Sequence, residues 1–393
     1  MTQAPSTRSV RAAIDCDTAF GAVVPPLVLS ANFSFEGLGG KRPYDYTRSG
    51  NPTRDQLGDA LADLEGGAGA VVTATGMAAI TVVLHAVLEP GDRLLVPHDC
   101  YGGSWRLFTA LAAKGAFELD SCDFTDTAAF DAAIARKPTL VWVETPSNPL
   151  LRITDLTAVS AAARSVGAVV AVDNTFLSPA LQRPIEHGAD IVVHSTTKYI
   201  NGHSDVVGGA AIAKSEALLE RLSWWGNALG LTGSPFDAFL TLRGLRTLHA
   251  RLRIQQDNCA AVAELLAAHP AVAAVHYPGL ESHPGHTLAA RQQDGFGAML
   301  SFDLNGGEAA ASAFIDGLQC FTLAESLGGV ESLVAHPATM THAAMSEDAR
   351  TRAGIGDGLL RLSIGIEDIS DLTADIRAGL DRAAACTREA VHG

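Results

Sequence analysis

Short runs of continuously apolar residues alternate with stretches of helical periodicity through the middle of the chain. Leu140–Val143, Ala168–Val172 and Ile191–Val193 are such runs, and Leu156–Ser165 is one of the helical stretches between them. Strands that are buried on both faces of a sheet are apolar throughout, because helices cover both sides. The pattern therefore predicts an α/β fold with a parallel or mostly parallel sheet sandwiched by helices.

The length of 393 residues suits two domains and an additional arm better than one compact core. Residues 1–52 lack strong periodicity and are expected to form an arm that packs on another body. Strands and helices alternate through residues 53–240, which predicts the large domain. Residues 241–393 combine Ala/Leu-rich helix with alternating strands, which is typical of a smaller α+β domain.

Two helix boundaries are specific expectations. Pro52 precedes Thr53, which is interpreted as the N-cap of a helix that ends at Gly66–Gly67. The stretch from Phe239 to about His269 is interpreted as one long helix.

Composition argues against several kinds of partner and compartment. The formal net charge is −15 and no basic run is present, so nucleic acid is not expected to bind. No run of about 18 apolar residues predicts a membrane span, and residues 2–13 do not resemble a secretory signal. Six cysteines without a C-x-x-C spacing favour reduced thiols in the cytoplasm over disulfides or zinc.

Lys198 stands out among the five lysines of the chain. It follows the apolar run Ile191–Val193, and open parallel sheets bind ligands beyond the carboxyl ends of their strands. Ser195 and Thr197 add hydroxyls that can hold a phosphate together with backbone N–H groups. A lysine in such a place can have a lowered pKa and form a Schiff base, although a surface lysine in a loop fits this window too.

Two further windows point to the same kind of site. Asp173 ends the buried run before the one that precedes Lys198, so its carboxylate is a candidate partner for the ring nitrogen of pyridoxal 5′-phosphate (PLP). At Thr75–Gly76 a strand meets a helix, and the N–H groups of Gly76 and Met77 would point at a phosphate. Each window alone is also compatible with an ordinary turn.

Together these windows resemble the Cys/Met-metabolism family of PLP enzymes, from about residue 14 to the C-terminus. The resemblance implies PLP-dependent transferase fold type I, which is aspartate-aminotransferase-like. The segments that carry it are 46–53, 75–77, 101–103, 144–149, 173–175, 195–199, 201–205, 326–332 and 361–367.

The resemblance implies a role for individual residues around PLP. Lys198 is expected to be the Schiff-base lysine and proton shuttle, Asp173 to pair with the pyridinium, and Tyr101 to stack on the ring and assist acid–base steps. The residues expected to bind the phosphate are Gly76, Met77, Ser195 and Thr197, with Tyr46 and Arg48 supplied by a neighbouring subunit, and Thr175 is expected to contact the cofactor as well. Such sharing implies at least a homodimer, and the family pattern implies a homotetramer built as a dimer of dimers.

The substrates implied are small amino acids. Arg361 is expected to bind the substrate α-carboxylate as a planar fork, with Ser326 and Asn148 beside it. Arg48, Arg106 and Asp45 are candidates for reading the distal ends of the substrates, although Arg106 also fits an ordinary amphipathic helix.

Within the family the resemblance favours bacterial members that perform γ-replacement over those that cleave cystathionine. Glu325, just before Ser326, looks like the acidic residue of the γ-synthases and γ-lyases, and Trp224–Gly233 resembles the bacterial synthases. The expected reaction joins an O-acylated homoserine, with succinyl preferred over acetyl or phospho, to cysteine. γ-Lyase activity remains the alternative, and a non-catalytic descendant is conceivable.

Other site classes lack their motifs. The sequence has no G-x-G-x-x-G after a strand, no P-loop, and no G-x-S-x-G elbow. His283 and His286 lie in one turn without H-E-x-x-H, so no metal site is expected.

Overall fold

The computed structural model of the chain describes residues 3–341, 350 and 353–392. Its strands are β1 (Gly69–Thr73), β2 (Arg93–Pro97), β3 (Glu118–Cys122), β4 (Leu140–Glu144), β5 (Val169–Asp173), β6 (Ile191–His194), β7 (Gly209–Ala213), β8 (Val272–His276), β9 (Met299–Leu304), β10 (Thr322–Leu323), β11 (Leu333–Ala335) and β12 (Leu359–Ser363).

The α-helices are α1 (Pro5–Val10), α2 (Pro52–Glu65), α3 (Gly76–Val87), α4 (Gly102–Ala113), α5 (Thr127–Ile134), α6 (Leu156–Ser165), α7 (Ser178–Leu181), α8 (Glu216–Leu229), α9 (Pro235–Leu245), α10 (Leu248–Ala267), α11 (His286–Gln292), α12 (Gly307–Ile315) and α13 (Ile369–His392). A short 3-10 helix spans Pro184–His187.

Seven strands form the large sheet in the order β1-β7-β6-β5-β4-β2-β3. Six of them run in the same direction, and β7 is antiparallel to both of its neighbours, β1 and β6. Successive residues of one strand enter different cores, since Val192 packs in the cluster that contains α2 residues and Val193 packs in the cluster that contains α3 residues. Both faces of the sheet are therefore covered by helices. The predicted mostly parallel α/β fold is confirmed.

The second sheet has five strands in the order β10-β11-β12-β9-β8. Helices α10 and α12 pack on it, α13 packs on these two helices, and apolar side chains of all three share one core with strands β9 and β12. This sheet matters for the site because β12 carries Arg361, whose position is described below.

The start of α2 differs from the expectation. Asn51, not Thr53, is the N-cap, because its side-chain oxygen accepts from Thr53 N–H at 3.0 Å and Arg54 N–H at 3.3 Å. Pro52 occupies the first helical position and favours the extended backbone that an N-cap needs. The Thr53 hydroxyl serves the arm instead, where it accepts from Val28 N–H at 2.9 Å.

The long helix expected from Phe239 to about His269 is two helices, α9 and α10, with a break at Arg246–Thr247. Gly244 lies so close to Asn201 that a Cβ would be 2.1 Å from the Asn201 carbonyl oxygen. Ser9 in α1 donates to the Leu245 carbonyl at 2.6 Å, which satisfies one of the free acceptors at the end of α9. Contacts that are distant in sequence therefore accompany the break.

Asn51→Ala should lower the free energy of unfolding by about 1 kcal/mol, because two N–H groups of α2 lose their acceptor. Urea unfolding followed by far-ultraviolet circular dichroism measures the change. Ser165→Ala, at the exposed end of α6, is the control and should change stability little. An Asn51→Ala protein as stable as the control would contradict the N-cap assignment.

Candidate active site

The site lies where the parallel strands β5 and β6 end side by side. Asp173 is the last residue of β5 and is paired in register with Val193 of β6. Lys198 follows shortly after β6 ends at His194. Parallel pairing therefore brings the lysine and the carboxylate to one edge of the sheet, as the sequence predicted.

Lys198 is half-buried and its Nζ donates to the Ser326 hydroxyl at 2.7 Å. Burial, and then the positive charge of Arg361, lower the pKa of Lys198 to about 8, against a smaller opposing effect of the Glu325 carboxylate. A substantial fraction of the amine is therefore neutral near physiological pH, as nucleophilic and proton-transfer chemistry requires.

The half-buried carboxylate of Asp173 would be stabilised by a cation beside it. Its Oδ1 accepts from Thr175 N–H at 2.9 Å, and the Thr175 hydroxyl in turn accepts from Ser195 N–H at 2.9 Å. Burial raises the pKa of Asp173, while its hydrogen bonds with Thr175 lower it. A protonated pyridine nitrogen beside Asp173 would offset the cost of burying this charge.

The N-terminus of α3 forms a cradle for an anion. The Thr75 hydroxyl caps Ala78 N–H at 2.9 Å, while the N–H groups of Gly76 and Met77 have no partner within the helix. Gly76 approaches Ser195 so closely that a Cβ would lie 2.9 Å from the Ser195 Cβ. Glycine thus permits the helix terminus and the Ser195 hydroxyl to face the same phosphate-sized group.

The Thr197 hydroxyl, also predicted at the phosphate, has partners of its own. It accepts from Gly208 N–H at 3.0 Å and contacts the Gly208 carbonyl at 3.3 Å. These contacts join the loop after β6 to the start of β7. Thr197 therefore stabilises the loop that carries Ser195 and Lys198.

Tyr101 stands at the start of α4 with 44% of its surface exposed. Its ring lies against Gly103, where a Cβ would be 2.4 Å from a ring carbon. Its backbone N–H donates to Oε2 of Glu144 at 2.6 Å. An exposed aromatic face at this edge fits the expected stacking partner of a cofactor ring.

Arg361 of β12 is 3% exposed. It connects the second sheet with Asn148, which lies shortly after β4 of the large sheet. Its guanidinium donates to Asn148 Oδ1 at 3.0 Å and to the Ser326 carbonyl at 2.9 Å. Its Nε is buried without a partner among the described residues, and burial lowers the pKa of Arg361 to about 10. A buried guanidinium with an unsatisfied donor is suited to bind a substrate carboxylate.

Ser326 connects this arginine with the lysine. Its carbonyl accepts from Arg361 and its hydroxyl accepts from Lys198. Its φ of 84° lies in the left-handed region, which costs free energy for a residue with a Cβ. Backbone strain of this kind is typical of functional sites, which supports the prediction that Ser326 belongs to this one.

The remaining predicted residues lie outside this group of contacts. Arg48 Nη1 donates to the Asn227 carbonyl at 2.9 Å, and its guanidinium lies 5.7 Å from the Tyr46 ring centre. Asp45 accepts from Lys41 at 2.9 Å within the arm. Arg106 is exposed on α4. Glu325 is exposed, but its charge raises the pKa values of Lys198 and Arg361.

Glu144 was not predicted as a site residue, although it ends β4 as Asp173 ends β5. The two residues are register partners across the β4–β5 pair. The same rule that identified Asp173, a carboxylate at the end of a buried strand, would have found Glu144 as well.

The fold and the site together define a class: a PLP-dependent enzyme that acts on an amino acid. A lysine amine, a half-buried carboxyl group, a helix N-terminus beside a serine hydroxyl and a buried arginine lie near one sheet edge, and these four groups would fit PLP and an amino-acid substrate. The family model described as Cys/Met metabolism PLP-dependent enzyme matches residues 6–381. The chain belongs to this family.

Individual relatives agree with the family. Cystathionine gamma-synthase of Escherichia coli (strain K12) is 54% identical over 379 residues, which cover 96% of this chain and 98% of the relative. The crystal structure of cystathionine gamma synthase from Xanthomonas oryzae pv. oryzae in complex with aminoacrylate and cysteine matches with a TM-score of 0.97 and 68% identity, over 98% of this chain and 100% of that one. Cystathionine gamma-lyase of Dictyostelium discoideum is 44% identical over 377 residues, 96% of this chain and 97% of the relative.

Across the residues that the structure describes, no helix is both long enough and apolar enough to span a bilayer.

The lowered pKa of Lys198 predicts its reactivity. In the PLP-free protein, acylation of Lys198 by an amine-directed reagent should be half-maximal near pH 8, because the neutral amine forms as the pH rises through its pKa. An ordinary lysine reaches that point near pH 10.4. Pulse labelling followed by peptide mass spectrometry measures the profile, with exposed Lys114 as internal control.

Glu325→Gln should move the Lys198 profile to lower pH, because the Glu325 carboxylate raises the pKa of the lysine. A wild-type profile that coincides with that of Lys114 would show that Lys198 is not in the environment described here.

Proposed function

We propose that this enzyme performs PLP-dependent γ-replacement: it joins O-succinylhomoserine, or another O-acylhomoserine, to L-cysteine and forms cystathionine and the acyl acid, in methionine biosynthesis by transsulfuration. One observation carries the proposal. The Xanthomonas oryzae synthase, solved with aminoacrylate and cysteine and also with cystathionine, shares 68% identity and nearly the whole fold with this chain.

PLP, when bound, supplies an electron sink that stabilises negative charge on the substrate carbon. Lys198 is the residue to which we assign its attachment. Asp173 would keep the ring nitrogen protonated, and Tyr101 would stack on the ring. The N–H groups of Gly76 and Met77 with the Ser195 hydroxyl would hold the phosphate.

The chain's own groups then move protons and orient the substrate. Arg361, held by Asn148 and the Ser326 carbonyl, binds the α-carboxylate and fixes the direction of the Cα–H bond. The neutral amine of Lys198 takes the Cα proton. A second proton leaves Cβ as the acyl carboxylate departs from Cγ, and the cysteine thiolate then adds at Cγ. Protons return to Cβ and to Cα, where Lys198 gives back the one it took, so the net reaction releases the acyl carboxylate and the proton of the cysteine thiol. Ser326, which accepts from Nζ at 2.7 Å, keeps the amine beside the reacting carbons.

γ-Lyase activity on cystathionine is the second candidate. It is favoured by one specific observation, the 44% identity with the Dictyostelium discoideum γ-lyase over almost the full length of both chains. Both reactions require a lysine base, an electron sink and a carboxylate clamp, so the site geometry serves either. Identity with the synthases is higher, which favours synthesis.

We also propose that the enzyme assembles as a homotetramer, a dimer of dimers in which Tyr46 and Arg48 reach the phosphate of a neighbouring subunit. The support is the arm itself, which presents apolar side chains to solvent in the single chain: Phe20 is 92% exposed and Leu29 65%. Burial of such a surface against another copy would stabilise the assembly. Arg106 and Asp45 remain proposed readers of the distal ends of the substrates.

Two further assignments are proposals. The division into an arm (1–52), a large PLP-binding domain (53–240) and a small domain (241–393) is supported by the two separate sheets. A cytoplasmic location is supported by six cysteines that are all free thiols.

A substrate panel tests the reaction. O-Succinylhomoserine with cysteine should give cystathionine and succinate at a higher kcat/KM than the acetyl or phospho esters, and at a far higher one than cystathionine cleavage. Without cysteine, slow release of 2-oxobutyrate, ammonia and the acyl acid is expected. Turnover of cystathionine with none of the acylated homoserines would overturn synthase in favour of lyase.

Arg361→Lys should lower kcat/KM about 10- to 100-fold, because an ammonium cannot replace a fork that holds a carboxylate and two protein acceptors. Steady-state kinetics with O-succinylhomoserine measures the loss. Arg243→Lys, in the last turn of α9, is the control and should keep wild-type kinetics. An equally active Arg361→Lys enzyme would contradict the proposed clamp.

A further inference from the structure

Glu144 is a buried acid at the edge of the site to which the proposed reaction gives no role. The residue is 6% exposed. Its Oε2 accepts from Tyr101 N–H at 2.6 Å, and its Oε1 accepts from the Trp142 indole N–H at 2.9 Å. Each carboxylate oxygen therefore has one donor, and one of the donors is the backbone of the proposed ring-stacking residue.

The location of Glu144 makes the carboxylate costly. Glu144 lies opposite Asp173 in the β4–β5 register. Burial, and then the charge of Asp173, raise the pKa of Glu144 to about 8. An apolar residue would avoid this cost. The acid at this position is therefore explained by the two hydrogen bonds that its oxygens accept.

The loop that Glu144 holds has few other supports near Tyr101. Tyr101 is the N-cap residue of α4 but makes no side-chain capping bond. Two residues before Tyr101, Asp99 accepts from the Ser147 hydroxyl at 2.7 Å and from Arg152 at 3.0 Å. Hydrogen bonds thus hold the loop at two points: the side chains of Ser147 and Arg152 bind Asp99, and the Glu144 side chain binds the Tyr101 N–H.

We propose that Glu144 is a positioning residue for the cofactor: it holds Tyr101 N–H, so that the tyrosine ring is fixed at the height where it stacks on PLP, and Trp142 orients the carboxylate. The inference rests on the proposed placement of Tyr101 over the PLP ring. The 2.6 Å hydrogen bond from the Tyr101 N–H is short and directional, which suits it to set the position of a loop.

The Glu144→Gln variant keeps the size and shape of the side chain and changes the hydrogen bonds that it can accept. A glutamine places an NH2 donor where one of the two carboxylate oxygens stood, so one of the two N–H donors faces another donor instead of an acceptor. In the variant, the indole and the Tyr101 N–H compete for the single amide oxygen. The PLP dissociation constant should rise about tenfold, and the circular dichroism of bound PLP should fall to about half or less, since that signal depends on the asymmetric fixation of the ring.

Trp142→Phe supplies the matched background. It removes the indole donor, keeps an aromatic ring in the core and leaves the Tyr101–Glu144 bond in place. In Trp142→Phe/Glu144→Gln the single amide oxygen is free to accept from Tyr101 N–H. The double variant should therefore recover the dichroism and the PLP affinity to within about twofold of Trp142→Phe alone.

The outcomes discriminate. A double variant as impaired as Glu144→Gln would show that the negative charge of Glu144, and not its bond to Tyr101, is what PLP binding requires, and would overturn the inference. A Glu144→Gln protein that binds PLP like wild type would overturn it too. A wild-type protein that takes up no PLP would instead refute the proposed function.

If Glu144→Gln does not fold, the wild-type holoenzyme provides the measurement. The chain has five tyrosines, so selective labelling of tyrosine nitrogen gives few amide signals, and Tyr101→Phe identifies the one of interest. An amide proton bonded to a carboxylate should resonate at low field and exchange slowly with solvent. A Tyr101 amide that exchanges as fast as an exposed loop would contradict the inference.

Discussion

The parallel pairing of β5 with β6 is the constraint on which the site depends. Parallel strands point their carboxyl ends the same way, so polar residues that follow them accumulate at one edge of an otherwise apolar sheet. Asp173 and Lys198 meet there because one crossover separates them, and Glu144 joins them because β4 is the next strand along. Hydrogen bonding of the strands fixes the positions of Asp173 and Glu144, and the turn that follows β6 places Lys198.

Burial then gives the grouped charges their chemistry. The pKa of Lys198 falls to about 8 and that of Glu144 rises to about 8, in each case chiefly because the charged form is poorly solvated. The second sheet contributes Arg361 to the same region, and the arginine contributes to the lowering of the lysine pKa. A side chain of the second sheet thus lowers the pKa of the lysine and is connected to it through Ser326.

Sequence patterns predicted those parts of the molecule that depend on local periodicity. Apolar runs predicted the parallel sheet, and the strand-end rule predicted Lys198 and Asp173. Arg361 followed only from family resemblance, since a lone arginine on an alternating strand is usually an exposed charge. Glu144 was missed because the apolar run that predicts its strand, Leu140–Val143, ends one residue before it.

The helix boundaries that were wrong depended on partners far away in the chain. Asn51 and Thr53 are both good N-cap residues, and the choice between them is made by the arm, where Thr53 accepts from Val28 N–H. The break between α9 and α10 accompanies the close approach of Gly244 to Asn201. Propensity along the sequence contains neither contact. For α2 a local indication existed, because Pro52 favours the first helical position and so makes Asn51 the N-cap; for the break between α9 and α10 none did.

In the single chain, Arg48 of the arm is already held in a defined position, which favours the proposed assembly. Arg48 is bound at the C-terminal end of α8 through the carbonyl and side-chain oxygen of Asn227, where a cation is favoured by the helix dipole. The same helix exposes Trp224, 61% of whose surface is accessible. An arginine already fixed in place loses little conformational entropy when a neighbouring subunit arrives, so the proposed contact with a phosphate would cost less than one made by a free side chain.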